Sequence, residues 1–195
     1  MNARSSDDVY AYRPSAGRSI SCVSPHDAQI AIGPVLPEDL GILFTWLNDA
    51  QAAGSDFSYR PVDCVSYKEW LDRQLQASSQ ILFMIRQLAQ SRALGFVIFK
   101  NLQPAYRAAD MGIRIGQEAD RGKGYGTRAT RLALDYAWRT LNLHRVSLNV
   151  FAENRRAIAA YRKAGFAEEG VMRDAAFTDG AWHDVTVMGA ISPCG

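Results

Sequence analysis

The sequence is poor in the residues that bind metals or form disulfides. Its 195 residues include only three cysteines and three histidines. Cys22, Cys64 and Cys194 are odd in number and far apart, so they form neither a metal-binding motif nor a disulfide framework. A few scattered cysteines are typical of a protein from a reducing compartment. We therefore predict a cytoplasmic protein that binds no metal.

Long apolar runs and a strong charge of either sign are also absent. No run approaches the roughly 20 apolar residues that span a bilayer, and MNARSSDDVYAYRPSAGRS has no apolar core of a secretory signal. The net charge of +2 is nearly neutral, which argues against nucleic acid or a membrane surface as the partner. Any binding of a polyanion is therefore expected to be local.

The rest of the composition is that of an ordinary globular domain. Hydrophobic residues make up 48% of the chain and charged residues 22%, and this length suits one domain with a sizeable core. Residues 1–28 show little periodicity and are rich in Ser, Arg, Asp, Pro and Gly. We expect a flexible N-terminal extension over 1–28 and one folded domain over 29–195.

Hydrophobic periodicity predicts the secondary-structure elements of that domain. Strands are predicted at 29–35, 81–88, 93–102, 108–116, 145–151, 166–180 and 181–191, and helices at 36–50, 66–77, 124–141 and 154–165. A Ser66–Glu69 capping box is expected to begin the second helix, while Asn154 caps the last helix and Gly165 ends it. The order β, α, α, β, β, β, α, β, α, β, β predicts a mixed α/β sheet with helices on its faces.

The stretch RGKGYG (121–126) lies between a predicted strand and a predicted helix. The first backbone amides of a helix lack intrahelical partners, and glycines let a phosphate approach them closely. A flexible turn would explain the glycines equally well. A dinucleotide loop needs the spacing Gly-x-Gly-x-x-Gly, whereas Gly122, Gly124 and Gly126 are spaced Gly-x-Gly-x-Gly. The Gly-Lys-Ser/Thr of a triphosphate loop is missing too, so both familiar phosphate loops are disfavoured.

Three blocks in this sequence resemble the GNAT acyl-CoA N-acetyltransferases. RGKGYG matches their Arg/Gln-x-x-Gly-x-Gly/Ala pattern, and ENRRAIAAYRKAGF resembles their Asn…Tyr-x-x-x-Gly-Phe helix. PEDLGILFTWLND resembles the first helix of the RimJ/RimL-like branch. The resemblance covers roughly residues 29–191. It implies a GNAT fold: a mixed, mostly antiparallel sheet with a central splayed parallel strand pair and helices on both faces, with acetyl-CoA between MGIRIG and RVSLNVF.

The resemblance also implies which residues bind acetyl-CoA, the expected co-substrate. The amides of the glycine loop would surround the pyrophosphate, and strand amides would pair with the pantetheine arm. Asn154 is expected near the pantetheine, although capping its helix explains it equally well. The pyrophosphate residues are Gly122, Gly124, Tyr125, Gly126 and Thr127, flanked by Arg121 and Lys123; the strand residues are Ile113 and Ile115.

For catalysis, the resemblance points to Tyr161 as the acid that protonates the departing thiolate. The alternative is that Tyr161 is only a core contact. The backbone amide near Ile113 is the expected oxyanion donor. Asp110 is our first candidate for the base that removes the amine's proton, with a water relay as the alternative. We expect Glu118, Asp120 and Glu153 on solvated loops and His183 in a structural or pocket-lining role.

These residues predict an N-acetyltransferase that works by direct attack in a ternary complex. The scattered cysteines give no support for a covalent route. The acceptor is a protein N-terminal α-amine or a small-molecule amine, bound by the loop of 54–61, which carries Asp56, Phe57 and Tyr59, and by the hairpin of 177–183. A non-catalytic acyl-CoA-binding regulatory module and, more weakly, a nucleotide binder are the alternatives. The oligomer is expected to be a monomer or a homodimer.

Overall fold

The computed structural model of the protein describes Asp27 and residues 29–49, 62–76 and 79–193. The strands are β1 (Ile30–Gly33), β2 (Ile81–Gln87), β3 (Arg92–Gln103), β4 (Ala108–Ile115), β5 (Arg145–Phe151), β6 (Ala167–Thr178) and β7 (Ala181–Ile191). The helices are α1 (Leu40–Leu47), α2 (Cys64–Gln76), α3 (Tyr125–Arg139) and α4 (Arg155–Ala164). The predicted order of elements is confirmed. The predicted N-terminal extension lies almost entirely outside the described residues and stays a prediction.

Helix boundaries follow the capping chemistry of single residues. The predicted caps of α4 are confirmed, because the Asn154 side chain accepts a hydrogen bond from the Ala157 amide and Gly165 ends the helix in the left-handed conformation. The predicted start of α2 is wrong. Asp63 Oδ1 accepts hydrogen bonds from the amides of Val65 and Ser66, both at 3.0 Å, so the helix begins before Ser66. The Ser66 hydroxyl is the first of the hydrogen-bond donors that lower the pKa of Asp63.

Within the described residues the strands form one sheet in the order β1-β2-β3-β4-β5-β7-β6. All neighbouring strands are antiparallel except β4 and β5, which run parallel. The parallel pairing covers just three residues of each strand and ends at Asp110 and Ser147. Beyond that point the two strands diverge. The expected central splayed parallel pair is therefore confirmed.

The two faces of this sheet carry separate apolar cores. On β2, Phe83 and Ile85 belong to the core that contains α3 and α4, whereas Met84 belongs to the core beneath α1 and α2. Successive strand residues point to opposite faces, so this alternation places helices on both sides of the sheet. The first core extends along β4 and β5 and fixes the walls of the gap between them.

The described residues have two further properties that bear on function. None of their helices is long and apolar enough to cross a membrane. Their His, Cys, Asp and Glu side chains form no group of three or more that could hold a metal ion.

Candidate active site

A cavity of about 860 Å³ lies where β4 and β5 diverge. Two sets of residues line it. The set that we call the loop side comprises Arg121, Gly122, Gly124, Gly126, Thr127, Asn154, Arg156, Ala157, Ala160, Tyr161 and Lys163. The set that we call the acceptor side comprises Leu43, Leu47, Tyr67, Leu71, Leu82, Phe96, Ile98, Lys100, Asp110 and Arg114. Ile113 and Ile115 also line the cavity.

The loop side contains a helix N-terminus that is open to an anion. Gly122 and Gly124 have φ values of 78° and 82°, a left-handed conformation that glycine adopts without strain. A Cβ at either position would meet no described atom within 4 Å, so the space above the backbone is free. Among the described residues no side chain caps α3. Its first amides and positive dipole end are therefore available to a phosphate.

A buried carboxylate anchors this loop, which corrects the expectation that Asp120 is solvated. The Asp120 side chain is only 4% exposed and accepts two hydrogen bonds from the Arg92 guanidinium, at 2.6 and 2.9 Å. Lys123 Nζ lies 3.7 Å from Asp120 Oδ1. The hydrogen bonds from Arg92 outweigh the effect of burial and lower the pKa of Asp120. Lys123 therefore belongs to the loop's support, and its side chain does not line the cavity.

The strand register determines which amides of β4 face the gap. The Gly116 amide donates to the Leu94 carbonyl at 2.9 Å, beside the partner pair Gly95 and Ile115. Hydrogen-bonded and non-hydrogen-bonded residue pairs alternate along an antiparallel ladder. The backbone N–H and C=O groups of the even-numbered residues of β4 therefore bond to β3. The N–H groups of Ile113 and Ile115 consequently point away from β3, toward the gap. An extended arm in the cavity could pair with them as a missing strand would.

α4 brings Asn154 and Tyr161 to the same cavity. The Asn154 side-chain oxygen Oδ1 caps the helix, accepting from the Ala157 amide at 3.1 Å. Tyr161 is half-buried and packs against the first core, with its ring centroid 6.0 Å from that of Phe166. A ring held this way limits where the phenol can lie. The small residues Ala157 and Ala160 share this wall and leave room for a bound molecule.

Asp110 lies at the point where the parallel strands separate, as the last residue of their ladder. It is exposed to the cavity and keeps a defined position through two hydrogen bonds. Asn101 Nδ2 donates to Oδ2 at 2.7 Å, and the Ser147 hydroxyl donates to Oδ1 at 3.3 Å. A carboxylate in this position can receive a hydrogen bond or a proton from an amine.

The rest of the acceptor side is mainly apolar. α1 and α2 contribute Leu43 and Leu71, and burial raises the pKa of Tyr67 to about 12, so its phenol stays protonated. Two cations, Lys100 and Arg114, also line this side. The Arg114 guanidinium donates to the Trp46 carbonyl, which ties β4 to the end of α1.

Part of the expected acceptor side falls elsewhere. Asp56, Phe57 and Tyr59 lie outside the described residues, so their predicted role stays a prediction. The hairpin of 177–183 does not line the cavity. His183 instead contacts Glu153, with 2.7 Å between Nδ1 and Oε1, and packs edge-on against Phe151. The structural role expected of His183 agrees with these contacts.

Several cavity residues were not identified from the sequence. Arg156 and Lys163 line the loop side and add positive charge to it. Their spacing of seven residues places them on one face of a helix, a signal that could have been used. Tyr67 and Leu71 lie on a helix far from the motifs in sequence. Nothing local in the sequence indicates that they reach this cavity.

A glycine loop at an uncapped helix N-terminus, facing amides in a splayed parallel strand pair, defines a site for an acyl carrier with a pyrophosphate and an extended arm. The chain belongs to the family described as "Acetyltransferase (GNAT) domain", whose profile matches residues 29–167. It is an acetyl-CoA-dependent N-acetyltransferase.

Relatives and solved structures agree with this assignment. The chain is 29% identical over 164 residues to spermidine N(1)-acetyltransferase of Escherichia coli, covering 84% of this chain and 87% of that one. It is 30% identical over 105 residues to the [ribosomal protein uS5]-alanine N-acetyltransferase of Escherichia coli, covering 53% and 54%. Its fold matches spermidine N-acetyltransferase of Vibrio cholerae in complex with CoA and spermine, with a TM-score of 0.79, 26% identity and coverage of 85% and 96%.

The residues on the loop side fit coenzyme A. Its pyrophosphate needs unpartnered amides and positive charge, which the α3 N-terminus, Arg121 and Lys163 offer. Its pantetheine arm is extended and amide-bearing, which suits the N–H groups of Ile113 and Ile115 that point toward the gap. The open space above Gly122 and Gly124 gives the phosphates access to the backbone.

Proposed function

We propose that the chain acetylates a primary amine of a small polyamine such as spermidine. The observation that carries this proposal is the extent of similarity. The match to a spermidine acetyltransferase spans 84% of the chain, whereas the match to a ribosomal-protein acetyltransferase spans 53%. The acceptor side supports the proposal, because its apolar wall suits a methylene chain and Asp110 suits an ammonium group. The RimJ/RimL-like branch is the weaker assignment for the same reason.

The charges of the acceptor side add a requirement to this proposal. Asp110 is accompanied there by Lys100 and Arg114, so the described residues offer a polyamine one carboxylate beside two cations. A polyamine carries further ammonium groups that need anionic partners. We propose that Asp56 supplies one of them, in keeping with the acceptor-binding role predicted for the loop that also carries Phe57 and Tyr59.

Each cavity residue then has a proposed task. The amides of Gly122, Gly124, Tyr125, Gly126 and Thr127 hold the pyrophosphate, with Arg121 beside them and Lys123 supporting the loop through Asp120. The N–H groups of Ile113 and Ile115 bind the pantetheine arm. Asn154 uses its side-chain oxygen Oδ1 for the cap, and its Nδ2 group is the donor that we assign to a pantetheine carbonyl.

The chemical step needs a proton removed from the amine and another delivered to the departing thiolate. Asp110 accepts the proton of the bound ammonium group, which frees the nitrogen lone pair for attack on the thioester carbonyl. A backbone amide of β4 near Ile113 donates a hydrogen bond to the thioester carbonyl oxygen as its negative charge develops. The Tyr161 hydroxyl gives its proton to the sulfur as the C–S bond breaks, and the second proton that the acylated nitrogen loses restores the phenol. General acid or base assistance of this kind is typically worth ~10²–10⁴ in rate.

Acetylation of a protein N-terminal α-amine is the second candidate, favoured by the match to the ribosomal enzyme. A panel of amines distinguishes the two by release of free thiol from acetyl-CoA. The panel contains spermidine, spermine, peptides with different N-termini, an aminoglycoside and an amino sugar. We expect kcat/KM to be highest for the polyamines by at least tenfold. A peptide that exceeds spermidine would overturn the polyamine proposal, and no thiol release with any amine would favour the non-catalytic module.

The same assay tests Asp110. Asp110→Asn keeps the shape of the side chain but removes its charge, and we expect kcat/KM for spermidine to fall about 100-fold. Asp179→Asn is the matched control, because Asp179 is an exposed turn residue outside the cavity. If Asp110→Asn retains more than half of the wild-type kcat/KM, a water relay removes the proton instead.

A further inference from the structure

Lys100 lines the same cavity as Asp110 and lies directly across the β3–β4 ladder from it. Residues that are directly opposite in an antiparallel pair share one face of the sheet, with their Cβ atoms about 5 Å apart. This face is the one beneath α1 and α2, because Phe96, four residues before Lys100 on β3, packs in the core beneath those helices. A cation and the candidate base are therefore neighbours on the acceptor side.

A β-bulge directly after Lys100 supplies Asp110 with a different partner. The pairs Lys100–Asp110 and Gln103–Ala108 leave two residues of β3 opposite one residue of β4. Asn101 is the first residue of this bulge and has a φ of 51°, a left-handed conformation that asparagine tolerates better than most residues. Its Nδ2 donates to Asp110 Oδ2 at 2.7 Å. The bulge therefore directs a neutral donor to the carboxylate in place of the lysine.

The charge of Lys100 consequently stays available to the contents of the cavity. Within the described part of the chain, no carboxylate forms an ion pair with Lys100. The other cation of the acceptor side, Arg114, instead donates to the Trp46 carbonyl. Lys100 is exposed, so its field acts over roughly one Debye length, about 8 Å at physiological ionic strength. A second ammonium group of a short acceptor lies within that range.

Lys100 acts differently on the two charges of a diamine. The reacting ammonium group is held by Asp110, whose negative charge offsets the repulsion from Lys100. A second ammonium group gains less from Asp110, which is already engaged, and it is repelled by Lys100 unless a long spacer carries it away. We propose that Lys100 is a specificity-determining residue that disfavours acceptors whose second ammonium group lies close to the reacting one. This inference rests on the proposed binding of the acceptor amine at Asp110.

The test uses amines that differ in the distance of a second charge from the first. Diaminopropane, diaminobutane, diaminopentane and diaminoheptane, with one amine at each end, place it progressively farther away, and butylamine has none. Lys100→Met removes the charge and keeps the length of the side chain. At low ionic strength we expect this variant to raise kcat/KM about threefold more for diaminopropane than for butylamine. The excess should decline along the series and vanish at diaminoheptane.

Two control variants accompany Lys100→Met. Lys100→Arg keeps the charge and should keep the wild-type pattern. Lys68→Met removes an exposed charge from α2 outside the cavity and should also keep it. Added salt should reduce the discrimination of the wild type and leave Lys100→Met unchanged, because only the wild type has a charge there to screen. If Lys100→Met changes kcat/KM for every amine by the same factor, or for none, the proposal is overturned.

The outcome for Lys100 is distinguishable from the outcome of the amine panel. If a peptide is the best acceptor, the polyamine proposal fails. The same diamines then serve as competitive inhibitors of that peptide, and their inhibition constants should show the same dependence on Lys100 and on spacer length. If polyamines are the best acceptors and Lys100→Met leaves the diamine series unchanged, the proposed function stands and the role assigned to Lys100 is wrong.

Discussion

At the scale of single residues, Tyr161 connects the fold to the chemistry. Its ring is half-buried against the first core and faces the cavity, so its position depends on packing that is independent of its hydroxyl. Tyr161→Phe therefore removes the proton donor with little change in packing. We expect kcat to fall about 100- to 1,000-fold, within the usual range for loss of a general acid, while the dissociation constant for coenzyme A changes less than twofold.

The measurement is steady-state thiol release alongside calorimetry with coenzyme A. Tyr136→Phe is a suitable control, because Tyr136 packs against the same core and does not line the cavity. If Tyr161→Phe keeps its kcat, the residue is a core contact and another group protonates the thiolate. If instead coenzyme A binding is lost, the hydroxyl serves the binding of the co-substrate.

At the scale of elements, the glycine loop depends on a charged anchor. Asp120 is buried and forms ion pairs with Arg92 and Lys123, and Asp120→Asn should lower the free energy of unfolding at pH 7 by about 2 kcal/mol, the usual cost of losing hydrogen bonds to a charged group. Because the folded pKa lies below the ordinary value of 3.8, this stabilisation is complete above pH 3.8 and is lost as the pH falls through the folded pKa.

Thermal unfolding of the wild type and Asp120→Asn between pH 2.5 and 7 tests the anchor. The gap between their melting temperatures should be widest near neutral pH and should narrow as the pH falls toward 2.5. The control is Glu118→Gln, because Glu118 lies on the same turn but is exposed. Its melting temperature should equal that of the wild type throughout this pH range. A gap of constant size from pH 7 to 2.5 would mean that the stabilisation is not ionic.

The helices and the glycine loop also show which structural features can be predicted from residues that are close in sequence. The boundaries of α4 follow from Asn154 and Gly165, because capping involves neighbours three or four residues away. The start of α2 was missed because Asp63 and Ser66 are both good N-caps, and only the backbone distinguishes them. Asp120 was misjudged because its partner Arg92 is 28 residues away. Periodicity reports local contacts, so it predicted the strands and helices but not the burial of this carboxylate.

The cavity residues also divide into those that short sequence motifs identify and those that only the three-dimensional fold brings to the site. The glycine loop and Tyr161 reach the cavity because short motifs specify the turn and the helix that carry them. Tyr67 and Leu71 reach it because α2 packs over the opposite face of the sheet from α3. That packing depends on the whole topology. The identity of the acceptor amine depends on this second group of residues, which explains why the motifs alone do not specify it.

At the scale of the whole molecule, the sheet consists of two parts with a narrow junction. β1–β4 and β5–β7 share a ladder of only three residue pairs, at 108–110 and 145–147. Coenzyme A in the gap would contact β4 on one side and α4, which follows β5, on the other. A ligand that bridges both parts should stabilise the molecule as a unit. At a concentration 100 times its dissociation constant, coenzyme A should add about 2.7 kcal/mol to the free energy of unfolding. The melting temperature should rise by roughly 5–10 °C, and unfolding should remain a single transition.

Hydrogen exchange shows where that stabilisation arises. The amides of Ile113 and Ile115 point into the gap, so coenzyme A should slow their exchange strongly. The amides of Gly112 and Arg114 on the same strand bond to β3, so their exchange should be slow already and change little. This odd–even contrast along one strand is the internal control, since a general tightening of the fold would affect both sets. Slower exchange confined to residues 122–127 would place the phosphates on the loop but the pantetheine arm outside the gap, and the predicted roles of Ile113 and Ile115 would be wrong.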